Sequence, residues 1–403
     1  SLQMKVVHVL LHSYLVTVGI ILFWCLQPLE WPNPTGSPQL IKGWGYPYEE
    51  HTVTTEDGYI IKMQRIPYGK GRKASPPSSP RPVVFLQHGL ALESSIFLAN
   101  LPDQSLGFML ADAGFDVWLG NNRGNTYGRN HIKYDQWQSA FWDFTWEDMA
   151  NYDVPAQVNY VLNVTGTDGL HFIGHSQGVL TMFAHLSEND EMQKKIKQIF
   201  ALAPALSVVN IRGPVAHIAP LAPFLHLLEF NVGPFGIFRR SIVNDGIAKM
   251  CSNFMLSGIC TKYMYANGGG PSAQMNSSRL DVYMASYPDG TSTKNIVHFG
   301  QMVLQKRTAH FDYGVAENRK RYGSMIPPAY DFSRVKVPIF VWYSPHDYLT
   351  NDWDFHEIVF PSLDQNYLKM NTSLDDFNHF DFHWGLRAVD EIYRPIIKMI
   401  SEY

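Results

Sequence analysis

The sequence predicts an α/β protein with a mostly parallel central sheet flanked by helices and a large inserted cap. Three observations carry that prediction. Short apolar runs rich in β-branched and aromatic residues alternate with stretches of helical spacing, the rhythm of a parallel sheet covered on both faces. The rhythm stops between Ala205 and about Tyr330, where Pro, Gly, Phe and Leu are frequent, and resumes afterwards. The 403 residues are 45% hydrophobic and 14% aromatic, enough to bury a sizeable core and to exclude disorder as the main state.

Only 17% of residues are charged, against about 25% in an average soluble protein. Lys and Arg number 32 and Asp and Glu 36, for a net charge of −4. No long basic run occurs, which excludes a nucleic-acid partner held by phosphate contacts.

The elements follow in order. Val6 to Leu26 lacks Lys, Arg, Asp and Glu and follows Met4-Lys5. Residues 1–27 therefore read as a secretory signal peptide, with an uncleaved membrane anchor as the rival. No other segment is read as long and uncharged enough to span a bilayer. Trp31 to Pro38 reads as a loop. Strands around Glu56-Asp57-Gly58 predict a β-hairpin, and Gly69 to Pro82 a flexible connection. Val83–Leu86 is a buried strand, followed by a helix over Ser105–Ala113 that Gly114 ends. Asp116–Leu119 is the next strand and Trp146–Leu162 a helix, which Pro155 bends or begins. Leu170–Ile173, a helix from Gln177 to about His185, and strands Gln198–Leu202 and Pro338–Tyr343 continue the pattern. Leu386–Ile400 closes it as a helix. The domain reading is a first core part over 28–204, a cap or lid over 205–330, and a second core part over 331–403.

Gly174-His175-Ser176-Gln177-Gly178 lies between a strand and a helix. That context turns Gly-x-Ser-x-Gly into a nucleophile elbow, a sharp turn that lifts the serine hydroxyl above the sheet edge. Serine needs a base to act at neutral pH. Ser176 is therefore the candidate nucleophile, with His379 the candidate base and His383 its rival. Asp347, just past the Tyr343 strand, is the candidate acid, and Asp352 and Asp354 compete with it. Two backbone N–H groups are expected to face the developing oxyanion, one from Gln177 and one from Leu90 in the His88-Gly89-Leu90 loop. No metal or organic cofactor is expected, because ligand clusters with sensible spacing are lacking. The pair His8 and His12 lies in the leader. Isolated charges such as Asp57 and Arg123 read as structural or surface groups.

Cys25 lies in the leader, so Cys251 and Cys260 form an even pair once it is removed. Disulfide and two reduced thiols both fit that spacing. Asn163, Asn276 and Asn371 begin glycosylation sequons. These features point to the secretory pathway, with a secreted or lysosomal destination, or anchorage through residues 1–27.

Several segments together resemble the acid lipases of animals, the group containing gastric and lysosomal acid lipases. They are Gly45-Tyr-Pro47, Thr55-Glu-Asp-Gly-Tyr59, Arg81-Pro-Val-Val-Phe-Leu-Gln-His-Gly89, Asp116-Val-Trp-Leu-Gly120 and Arg123-Gly-Asn-Thr126. Gly174 to Gly178, Ala201-Leu-Ala-Pro204, Ser278-Arg-Leu-Asp-Val-Tyr283 and Asn378-His-Phe-Asp-Phe382 extend the likeness from about residue 40 to the end. The resemblance implies an α/β-hydrolase fold and hydrolysis of neutral-lipid esters, triacylglycerols or sterol esters, at a lipid–water interface. It implies Ser176, Asp347 and His379 as a triad, Leu90 and Gln177 as oxyanion donors, and a Cys251–Cys260 disulfide. The family surrounds its acid with Gly-Gly-x-Asp-x-Leu-Ala-Asp, whereas this chain carries Tyr343-Ser-Pro-His-Asp-Tyr-Leu-Thr-Asn-Asp352. A carboxylesterase for smaller esters and a non-catalytic lipid-binding relative are the alternative readings. Membrane contact would run through the leader or the apolar lid stretch Ala205 to Phe238.

Overall fold

The structure, a computed structural model, describes residues 36–71, 81–240, 242–253 and 255–403. The leader, with Cys25, His8 and His12, lies outside the described residues, as does most of the Gly69–Pro82 connection. Among the described residues eleven strands run in chain order: β1 (Glu49–Thr54), β2 (Tyr59–Ile66), β3 (Val83–Gln87), β4 (Asp116–Leu119), β5 (Asn130–His131), β6 (Leu170–His175), β7 (Ile196–Leu202), β8 (Gly236–Ile237), β9 (Thr291–Ser292), β10 (Ile339–Tyr343) and β11 (Leu368–Ser373). The main sheet is ordered β1-β2-β4-β3-β6-β7-β10-β11, with β5 paired to β2. From β4 to β11 every pairing is parallel. The β1–β2 hairpin adds the antiparallel edge.

Alternation within the strands builds two cores. Phe85, Trp118, Phe172 and Ile199 point to one face, where helices Val154–Thr165 and Gln177–Glu188 supply Val158, Val161, Leu180 and Phe183. Leu86, Val117, Ile173, Phe200 and Trp342 point to the other, against Leu106–Ala113 and Arg394–Ser401. Because both faces are covered, these strands read as continuous apolar runs rather than alternating ones. Each fully buried large side chain contributes about 1.5–3 kcal/mol.

Some boundaries differ from expectation. Of the expected Trp31–Pro38 loop, residues 31–35 lie outside the described residues, and Ser37 and Pro38 begin a helix, Ser37–Gly43, with Pro38 in the first turn, where a missing N–H and a preset φ do no harm. The Trp146 helix contains a π-helical turn over Met149–Asp153, and Pro155 sits in the first turn of the α-helix that follows. The final helix is likewise entered through a π-helical turn, Val389–Tyr393. β11 was not anticipated, since Leu-Lys-Met-Asn-Thr-Ser is a polar edge strand with no apolar run.

Between β7 and β10 the chain is mainly helical, with helices Ala222–Val232, Ile242–Cys251, Ser257–Gly268, Thr293–Gln305 and Val315–Tyr322 among its elements. Cys251 and Cys260 form a disulfide joining two of these helices. Closing so short a loop is worth about 3 kcal/mol in the chain-entropy account. The stretch Gly213–Val232 corrects the expectation that only the leader is apolar enough to cross a membrane. It is a 20-residue helical run of mean hydropathy 1.2, mostly unburied.

Of the two readings left for Arg123, structural or surface, the contacts favour the structural one. Fully buried, it donates to Asp57 at 2.6 Å and to Asp153 at 2.6 Å, and its guanidinium lies over the Tyr59 ring at 4.0 Å. It thereby ties the hairpin to the π-helical turn before Val154.

Candidate active site

Leu90, Ser176, Asp347 and His379 come from the segments after β3, β6, β10 and β11 respectively, all at the carboxyl edge of the parallel strands. Ligands in open α/β sheets bind at that edge. Ser176 adopts φ 54° and ψ −120° between β6 and the helix Gln177–Glu188. A non-glycine residue held there stores strain that its surroundings must maintain. Its N–H donates to the Leu202 carbonyl at 3.0 Å, pinning the turn to β7. Two glycines make the turn possible. A Cβ on Gly174 would lie 2.7 Å from the Phe172 ring, and one on Gly178 would lie 2.5 Å from the Gln87 carbonyl oxygen.

His379 Nδ1 lies 2.7 Å from Asp347 Oδ2, both groups buried. The carboxylate can only accept when ionised, so Nδ1 carries the proton and Nε2 presents its lone pair. Asp347 also accepts from Leu349 N at 2.7 Å, Thr350 N at 3.0 Å and Thr350 Oγ1 at 2.8 Å. Thr350 stands where the family pattern has Ala, so the divergent loop adds a donor to the oxygen that meets His379. The rival carboxylates sit elsewhere. Asp354 accepts from Ser207 and Asn210, and Asp352 lies 4.0 Å from Arg212. The rival imidazole of His383 has no hydrogen-bond partner on either nitrogen. It packs edge-on against His175 at 4.4 Å. Burial pushes both His175 and His383 well below the usual histidine range, so both rings are neutral.

The oxyanion candidates sit in two networks that sequence reasoning did not reach. His88 Nδ1 donates to the Gly89 carbonyl at 2.8 Å, and Asn125 Nδ2 donates to His88 Nε2 at 3.0 Å. Burial lowers the His88 pKa to about 4, so the ring is neutral, and the two contacts set its tautomer. The bonded carbonyl belongs to the same peptide unit as the Leu90 N–H, so its plane is held. Gln177 begins its helix, where backbone N–H groups lack intrahelical acceptors. Its side-chain oxygen accepts from Asn295 Nδ2 at 2.8 Å, while Asn295 Oδ1 accepts from Trp146 N at 2.7 Å. Asn125 and Asn295 lie far from the elbow in sequence, and no spacing signal joins them to it.

Leu90, Ser176 and His379 line one cavity of about 510 Å³, whose remaining wall is mostly apolar and includes Val215, Leu225 and Phe299. Among the sequons, Asn163 and Asn371 are exposed, Asn371 on the edge strand β11. Asn276 is half-buried and engaged with Ser278 and Gln104. Among the described residues no cluster of three His, Cys, Asp or Glu could hold a metal.

Residues 37–101 match the family described as a partial alpha/beta-hydrolase lipase region, and residues 82–252 match the alpha/beta hydrolase fold. The chain is 45% identical over 376 residues to lipase lipl-5 of Caenorhabditis elegans, covering 91% of this chain and 92% of that protein. It is 39% identical to human gastric triacylglycerol lipase, with 90% of each covered. It is 38% identical to human lysosomal acid lipase/cholesteryl ester hydrolase, covering 91% and 90%. The structure of DcsB in complex with its substrate analogue shares the fold, with a TM-score of 0.53 at 13% identity, covering 88% of this chain and 99% of that one. The chain therefore belongs to the acid lipase family, ester hydrolases of the α/β-hydrolase fold.

Proposed function

We propose that this lipase hydrolyses neutral-lipid esters, triacylglycerols or sterol esters, through Ser176, His379 and Asp347. The observation that carries the reading is the buried His379–Asp347 hydrogen bond, with His379 and Ser176 on one apolar cavity. His379 Nε2 takes the hydroxyl proton as Ser176 Oγ attacks the ester carbonyl carbon. Asp347 stabilises the imidazolium. The N–H groups of Leu90 and Gln177 receive the oxyanion, each worth about 3–4 kcal/mol of barrier. His379 then returns the proton to the departing alcohol, leaving an acyl-Ser176 ester. Water, deprotonated by the same imidazole, attacks that ester and releases the acid.

Residues 205–330 act as the cap in this reading. Its run Gly213–Val232 supplies cavity-lining Val215, Ala219, Ala222 and Leu225 while exposing Leu227 and Phe230, 60% and 87% accessible. One helical run thus connects the acyl cavity to an apolar outer surface suited to a lipid–water interface. The names of the gastric and lysosomal relatives support the same substrate class. Those names, the disulfide and the leader-like amino terminus support a secretory-pathway location.

A serine-directed fluorophosphonate should label the folded protein, and Ser176→Ala should abolish both labelling and ester turnover. Undiminished labelling of Ser176→Ala refutes the nucleophile. Rates on emulsified long-chain esters should exceed those on soluble short-chain esters. The reverse profile would identify a carboxylesterase.

A further inference from the structure

We propose that His175 is a positioning residue for catalysis: its ring N–H holds the main-chain carbonyl of His379 and so sets the distance between that imidazole and Ser176. The inference rests on the triad reading above.

The His175 Nε2 atom lies 3.0 Å from the His379 carbonyl oxygen, a buried contact across 204 residues of sequence. A carbonyl oxygen only accepts, so Nε2 carries the hydrogen and Nδ1 is left as a bare acceptor. That Nδ1 has no partner, and the whole residue is inaccessible to solvent. Leaving a buried polar atom without a partner is unfavourable. For packing alone, a phenylalanine of similar size would therefore suit the site better. What the imidazole adds is a donor at the tip of a flat ring.

Geometry shows what that donor controls. His175 immediately precedes Ser176, whose backbone is locked at a strained φ by β7 and by the following helix. The His175 ring therefore projects from the same rigid turn as the nucleophile. At its far end it meets the loop that carries His379, with ring centroids 4.7 Å apart. His379 is then held at three points. Its N–H donates to Gly268 O at 2.8 Å, its carbonyl accepts from His175, and its Nδ1–H meets Asp347. Of these three anchors, only His175 refers the histidine loop to the serine turn. The His383 ring packs edge-on against the His175 ring and makes no hydrogen bond through either nitrogen, so it serves as a wall.

The test compares His175→Phe, His175→Asn and His175→Gln with native enzyme. Phenylalanine keeps the ring and loses the donor, asparagine keeps a donor that falls short, and glutamine returns an amide N–H near the original Nε2 position. On a soluble ester, kcat should fall 10–100-fold in the first two variants, with KM within about twofold, because misplacement by about 1 Å costs on that order. Fluorophosphonate labelling should slow in parallel, and the glutamine variant should recover to within about fivefold of native. Native kcat in a folded phenylalanine or asparagine variant overturns the proposal, as does a glutamine variant no better than asparagine. His379→Ala is measured alongside. If it retains native labelling, the triad reading fails. If it is inactive while His175→Phe is native, only the role of His175 fails.

Discussion

The carboxyl edge of the sheet buries polar groups, whereas the helical segment above it exposes apolar ones. At the edge, Asp347 accepts hydrogen bonds from three residues and His379 is tied at three points. Over the cavity, Phe224, Leu227, Phe230 and Val232 stand in solvent. The first arrangement is rigid because buried polar groups are costly unless their partners are in place. The second has no such constraint, since apolar contacts are non-directional and can be exchanged for lipid. Under the proposed function, chemistry and substrate contact fall to these two regions, joined where the Gly213–Val232 run lines the cavity.

The largest expected effect probes the rigid side. Asp347→Asn should preserve the fold but lower kcat by about 10⁴-fold, because the amide donates where the imidazole N–H must be accepted. A loss below tenfold in steady-state assays would remove Asp347 from the triad. Next comes the buried ion cluster that follows β4. Arg123→Ala leaves Asp153 buried without its cation and should cost about 3–5 kcal/mol in denaturant unfolding. A cost under 1 kcal/mol would mean that water reaches Asp153.

A third prediction concerns the joint between the two regions. His310, in the segment above the sheet, contacts Glu147 and, at 3.1 Å, Glu188 on the core helices. Burial alone would lower its pKa, but the two carboxylates outweigh burial and raise it to about 9. With the unfolded value near 6.5, this joint contributes fully below about pH 6.5 and loses its contribution as pH rises to 9. His310→Gln should therefore destabilise by on the order of 1–3 kcal/mol at pH 6 and by far less at pH 10. An equal loss at both values would mean that packing, not charge, is responsible. The smallest stability effect belongs to the exposed surface. Leu227→Ser with Phe230→Ser should change stability by less than about 0.5 kcal/mol. The same double variant should slow turnover of emulsified ester several-fold and spare a soluble ester. Equal slowing of both substrates would separate this surface from interfacial contact.

Much of the edge was legible from residues alone. Gly174 to Gly178 declares a turn because only glycine fits against Phe172 on one side and the Gln87 carbonyl on the other. The strand runs at Val83, Asp116 and Leu170 were legible because both faces of those strands are buried. β11 was not, since a polar edge strand is defined by its neighbour rather than by its own pattern. The stretch Ala205 to Phe238 was legible as apolar, but the helical continuity of Gly213–Val232 within it was not, because its prolines sit at the first turns of short helical pieces.

The sequence by itself determined the class of fold, the elbow serine and the short set of histidines and carboxylates able to serve it, because these follow from local spacing and residue chemistry. Residue chemistry left His383, Asp352 and Asp354 as rivals, the family resemblance favoured His379 and Asp347, and the tertiary structure shows those two as the bonded pair. Tertiary structure alone joined the His175 ring to the His379 carbonyl and brought Asn125 and Asn295 to the site. Hydrogen bonds act over about 3 Å, and only the folded chain determines which distant groups come that close.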